Sequence, residues 1–113
     1  MNKKLISILI LLATGLNASA AERGIASWYG TENKVSSAGK RINHRVPALA
    51  HKSLPIGCMV KITNTKTRAT VVAKVEDRGP YKHGRIADLN IAAAKKLGII
   101  NSGLAHVTVE RIK

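Results

Sequence analysis

Apolar and polar side chains alternate through "GCMVKITN", with Cys58, Val60 and Ile62 on one face and Met59, Lys61 and Thr63 on the other. A period of two is that of a half-buried strand. "ATVVAKVE" repeats it, setting Ala69, Val71, Ala73 and Val75 against Thr70, Val72, Lys74 and Glu76. "NTKT" between the two suits a hairpin turn. "AHVTVERI" alternates Ala105, Val107, Val109 and Arg111 against His106, Thr108, Glu110 and Ile112, and "GIASWYG" reads as a short first strand. One segment changes period. In "DLNIAAAKKLG", Ile91, Ala94 and Leu97 recur every three residues, as on one face of a helix. Asp88 or Asn90 can cap its start, Lys95 and Lys96 suit the negative end of its dipole, and Gly98 suits its C-cap. "TENKVSSAGKRINHRVP" follows neither period and reads as a long polar loop, either functional or disordered in a domain this small. A mainly β chain with many short strands and one small helix favours a closed or partly closed barrel.

The start of the chain belongs to a different class. "MNKKLISILILLATGLNASA" combines a basic start, an apolar run over residues 5–13 and the small residues "ASA". That is the pattern of a cleavable signal peptide over residues 1–20. The apolar run is shorter than the roughly 20 residues a bilayer-spanning helix needs. No cysteine follows it closely, so lipid attachment is not expected. Residues 21–113 then form one domain outside the cytoplasm, periplasmic or secreted, with no stable membrane insertion. The single cysteine, Cys58, cannot form an internal disulfide, and its apolar neighbours suggest a buried thiol. The four histidines are dispersed and no Cys/His group has metal-ligand spacing, so no metal or other cofactor is expected.

Charge then narrows the partner. Of nineteen basic residues, setting aside Lys3 and Lys4 leaves seventeen against six acidic ones, a net +11 after processing. Such a surface attracts polyanions. Export argues against nucleic acid, and three aromatics make a poor base-stacking platform. Cell-wall polymers and lipid head groups are the polyanions outside an inner membrane. Against this background, three of the six acidic residues, Glu76, Asp77 and Asp88, lie within "KVEDRGPYKHGRIADLN". On its own, Asp77 before Arg-Gly-Pro reads as a turn residue bonding its own backbone.

The blocks "GIASWYG", "ALAHKSLPIGCMVKITN", "VEDRGPY" and "GRIADLNIAAAKKLGI" occur in that order across residues 24–110. In this the chain resembles the rare lipoprotein A family. The resemblance implies a six-stranded double-psi β-barrel and lytic transglycosylase action on peptidoglycan glycan strands, with a preference for strands stripped of stem peptides. It places the family's catalytic Asp on Asp77, the His of its "AAH" block on His51 and the Asp of its "DLS" block on Asp88. Where the family has a Glu in a "TASGE"-like loop, this chain reads "SSAGK", which puts Lys40 at that position.

In a lytic transglycosylase the substrate's own C6 hydroxyl is the nucleophile, so one group that gives and then takes a proton can suffice. Asp77 is the candidate, with His51 or Asp88 in support. Arg78, Lys82, His83 and Arg85 would press Asp77 towards its ionised form, and alternation sends Glu76 to the opposite face. Asp88 is then the group able to share a proton with Asp77. Asp88 is alternatively the helix cap, and His51 a satisfied buried histidine. Trp28, Tyr29 and Tyr81 are sugar-stacking candidates, with one of the first two in the core instead. Lys40, Arg41, Arg45, Arg78 and Arg85 are candidates for binding the anionic substrate. Two rivals stay open: a wall-binding barrel without turnover, as in expansins, suggested by Lys40, and an envelope scaffold with cell-division or other envelope proteins as partners.

Overall fold

The structure, a computed structural model, describes residues 20–29 and 45–113. Residues 1–19 of the expected signal peptide (residues 1–20) and the loop positions Lys40 and Arg41 lie outside the described residues. Six strands and one helix follow in order: β1 Glu22–Trp28, β2 Ala48–Ala50, β3 Met59–Asn64, β4 Thr70–Asp77, β5 Arg85–Leu89, α1 Ile91–Leu97 and β6 Leu104–Arg111. They close into a barrel in the order β1-β5-β2-β4-β3-β6. Two neighbouring pairs are parallel, β1 with β5 and β2 with β4, and the other pairings are antiparallel.

The alternating segments behave as their pattern dictates. Val60 and Ile62 of β3, Val71, Ala73 and Val75 of β4, and Val107 and Val109 of β6 all enter the core cluster. Cys58 joins them as a buried free thiol. β3 and β4 form the expected hairpin, with Val60 opposite Ala73 and Ile62 opposite Val71. Two strands carry no such signal. β2 is only three residues long, and β5 runs almost directly into the helix.

α1 decides one alternative and corrects one expectation. Its cap is Asn90, whose side chain accepts the Ala93 N–H at 3.0 Å, while Asp88 belongs to β5. Its buried face is Ala93, Ala94 and Leu97, with Ile91 only half-buried. Gly98 ends it in the left-handed region at φ 76, where a residue without Cβ is unstrained. Asn90 also clamps the helix start to the chain around β2. Its Oδ1 accepts the Ala48 N–H at 3.1 Å and its Nδ2 donates to the Val46 carbonyl at 2.7 Å.

Both parallel ladders contain a register shift. Between β1 and β5, Ile25 faces Arg85 but Ala26 faces Ala87, which leaves Ile86 as an extra residue. Its side chain lies across Gly24, where a Cβ would come within 2.5 Å of Ile86 Cγ2. Between β2 and β4, Leu49 faces Val75 but Ala50 faces Asp77, so Glu76 is extra. Such shifts re-aim the side chains that follow them.

Candidate functional site

The second shift creates the site. Asp77 on β4 lies opposite Ala50 on β2, Ala50 opposite Asp88 on β5, and Asp88 opposite Ser27 on β1. Residues paired across a ladder share a face. Their neighbours Val75, Leu49, Leu89 and Ala26 fill the core. The row Asp77–Ala50–Asp88–Ser27 therefore runs along the outer wall. Small Ala50 separates the two aspartates, whose backbones stand two strand spacings apart, roughly 10 Å. Strict alternation from Val75 would have turned Asp77 into the core and Glu76 away from it. The extra residue brings Asp77 out onto the face of Ala50.

The row has defined partners. Ser27 Oγ donates to Asp88 Oδ1 at 3.1 Å. Asp77 Oδ1 accepts the Arg78 N–H at 2.8 Å, the local backbone bond of a turn residue, and its carbonyl accepts the His51 N–H at 3.0 Å. Tyr29 extends the β1–β5 ladder by one bond, its N–H donating to the Leu89 carbonyl at 3.0 Å. Burial holds the Tyr29 phenol far above its ordinary titration range, and the carboxylates of Asp88, Glu76 and Asp77 add to this. The three acids that stand close in sequence are thus within electrostatic reach of one tyrosine.

His51 sits just past the row and is buried. Its Nδ1 faces the N–H groups of Ser53 and Leu54 at 3.2 and 3.1 Å, so that nitrogen is an acceptor. The ring proton then lies on Nε2, 2.7 Å from Glu22 Oε1. The Glu22 partnership spans 29 positions and has no local signal in the sequence. Arg78 turns its guanidinium to backbone: Nη1 donates to the His51 and Leu54 carbonyls at 3.0 and 2.6 Å. It pins the 51–54 turn. Trp28 packs against the core, while Tyr81 is 75% exposed with its ring beside Gly79. Arg85 opens β5, half-buried, three positions before Asp88. Arg45 is exposed and leads into β2.

The structure thus sets Asp77 and Asp88 on one ladder row, with Tyr29 within electrostatic reach, and turns Arg78 to backbone and His51 to backbone and Glu22. Sequence reasoning did not single out Ser27, Ala50 or Glu22, and it noted Glu76 only to set it on the face opposite Asp77. Only Ser27 carries a local signal, since it alternates with Trp28 onto the face of Tyr29. Two surface cavities, about 260 and 430 Å³, lie elsewhere and share Thr65 and His106 in their walls. They adjoin the start of β4, whose length puts them roughly 20 Å from Asp77. Neither Asp77 nor Asp88 lines these two cavities.

A closed six-stranded barrel with two parallel pairs and a paired-aspartate row on its wall defines a double-psi β-barrel with an acidic surface site. Residues 21–109 match the family model described as "Lytic transglycolase", and the chain belongs to that family. The resemblance to rare lipoprotein A holds as well. The chain is 44% identical over 97 residues to "Endolytic peptidoglycan transglycosylase RlpA" of Neisseria meningitidis serogroup A, covering 84% of this chain and 41% of that protein. The protein of that name in Vibrio cholerae is 44% identical over 93 residues, covering 80% and 35%. "Probable endolytic peptidoglycan transglycosylase RlpA" of Nostoc is 42% identical over 92 residues, covering 78% and 25%. The chain therefore spans well under half the length of these relatives. Among solved structures, "Streptomyces papain inhibitor (SPI)" superposes with a TM-score of 0.68 at 19% identity, covering 86% of this chain and 98% of that one. At that identity the likeness is one of fold.

Proposed function

We propose that the protein is an endolytic peptidoglycan lytic transglycosylase acting outside the cytoplasm, in the periplasm or after secretion. It cleaves the bond between N-acetylmuramic acid and N-acetylglucosamine, with a preference for peptide-poor strands. The observation that carries this reading is the row Asp77–Ala50–Asp88 on the outer wall, with the smallest chiral side chain between two carboxylates. Ala50 itself is only 6% exposed, so a glycan strand crossing the row meets the half-buried aspartates on either side of it. Asp77 gives its proton to the glycosidic oxygen as the C1–O bond breaks. The C6 hydroxyl of the muramoyl ring attacks C1, and the Asp77 carboxylate takes up the hydroxyl proton. Proton and bonds balance, no water is consumed, and the product ends in a 1,6-anhydro ring. Tyr81 offers a stacking face, and the net charge of +11 left after processing (seventeen basic less six acidic residues) draws the anionic polymer to the barrel. The names of the relatives, which act on peptidoglycan, support the same substrate.

Lys40, in place of the family's loop Glu, favours a second reading: a wall-binding barrel without turnover. Digestion of purified sacculi, intact and amidase-treated, separates the two. The enzyme releases anhydro-ended glycans, read by mass spectrometry, and Asp77→Asn abolishes them. Pelleting with sacculi without such products supports the binder. Products that first appear with Lys40→Glu would mark the natural chain as inactive.

A further inference from the structure

We propose that Glu22 is a positioning residue: through the His51 ring it holds the turn against which the Asp77 main chain is fixed. His51 serves this link and touches no substrate. His51 is 4% exposed, and both of its ring nitrogens are engaged inside the protein. Nδ1 takes the Ser53 and Leu54 N–H groups at 3.2 and 3.1 Å, which leaves the ring proton on Nε2, 2.7 Å from Glu22 Oε1. A ring so held has no free nitrogen to offer a sugar. The Glu22 side chain, by contrast, is 49% exposed at the start of β1. β5 stands between β1 and β2 in the barrel, so the contact joins two strands that no backbone ladder ties together.

From His51 the ties run on to Asp77. The His51 N–H donates to the Asp77 carbonyl at 3.0 Å, and Arg78 Nη1 donates to the His51 and Leu54 carbonyls at 3.0 and 2.6 Å. Leu54 in turn packs against the core. The end of β4 is thus bound to the 51–54 turn, the turn to the His51 ring, and the ring to β1. Without the Glu22 carboxylate, the Nε2 proton is left in a buried ring with that acceptor gone, which favours a turned ring or an admitted water. Either change disturbs the Nδ1 bonds that shape the turn, and with them the footing of Asp77. Misplacing a reacting group by about 1 Å can cost about 10²-fold in rate. The effect on turnover rests on the transglycosylase reading; the link from Glu22 to the turn does not.

Glu22→Ala, Glu22→Gln and His51→Asn are compared with the natural protein by cleavage of peptide-free glycan strands and by amide exchange at Ser53 and Leu54. Glu22→Ala should lower kcat about 10- to 100-fold with KM changed by less than about twofold, and should speed exchange at both amides. Glu22→Gln, whose Oε1 still accepts the Nε2 proton, should restore kcat and exchange together. His51→Asn keeps an acceptor for the two N–H groups but does not reach Glu22, so its kcat should match that of Glu22→Ala, and the double variant should be no slower than either. Natural kcat and natural exchange in Glu22→Ala would overturn the proposal. So would complete loss of turnover in Glu22→Gln, which would make Glu22 an acid acting on the substrate itself. Loss of all products in His51→Asn, far below Glu22→Ala, would return His51 to the substrate and overturn it too. If the natural protein releases no anhydro product, the enzymatic reading fails, and the exchange rates alone uphold or overturn the link from Glu22 to the turn.

Discussion

Asn90 is fully buried and joins α1 to the segment entering β2, so its removal tests how the site is held in register. In Asn90→Ala the backbone bonds to Ala48 and Ala94 survive. Three of its side-chain bonds disappear, to the Ala93 N–H, the Ala48 N–H and the Val46 carbonyl. Losing the cap costs about 1 kcal/mol. The Ala48 N–H is left buried without that partner, at about 1–3 kcal/mol, and the Val46 carbonyl, nearer the surface, adds about 0.5–1 kcal/mol. The expected total is about 2.5–5 kcal/mol. For a domain of this size that corresponds to a fall in Tm of roughly 10–40 °C. Equilibrium urea unfolding of the natural protein, Asn90→Ala and Asn90→Ser supplies the test. Serine keeps the helix cap but does not reach Val46, so it should fall between the other two. An alanine variant within about 1 kcal/mol of the natural protein, at unchanged m-value, would refute the clamp.

Gly24→Ala should cost about 1–3 kcal/mol, because its Cβ meets the stiff β-branched Ile86; in an Ile86→Ala background most of that cost should vanish in a double-mutant cycle. Arg78→Met should release the 51–54 turn at a cost of about 2 kcal/mol and speed amide exchange at Ser53 and Leu54, with Arg78→Lys rescuing only in part. Tyr29 has its folded-state pKa raised, so its contribution to stability is complete below the ordinary tyrosine pKa of about 10 and is lost as pH climbs above it. Urea midpoints measured from pH 8 to 12 should fall less steeply in Tyr29→Phe than in the natural protein; equal slopes would contradict the burial of that phenol among anions.

The hairpin β3–β4 and the strand β6 were legible because each has one face in the core and one in water, and alternation records that division. β2 was hidden by its length, three residues being too few to express a period. β5 was hidden by its company. "RIADLN" leads straight into a helix whose cap residue types, Asp and Asn, both occur there, and only the structure separates strand Asp88 from cap Asn90. The barrel topology and the placing of Asp77, His51 and Asp88 in a common site came from family resemblance. The two register shifts have no signature in composition or period, yet one of them decides which way Asp77 points. Partnerships such as His51 with Glu22 and Ser27 with Asp88, the latter across 61 positions, exist only once the strands are paired.

The central claim is that a glycan strand lies along the outer wall over Ala50, between Asp77 and Asp88. Chemical-shift mapping of isotope-labelled Asp77→Asn protein with a soluble peptide-free glycan tetrasaccharide addresses it without turnover. The account predicts that the largest shifts fall on Ser27, Ala50, Asp88 and Tyr81. Shifts confined to Thr65, His106 and the cavities at the other end of β4 would contradict it.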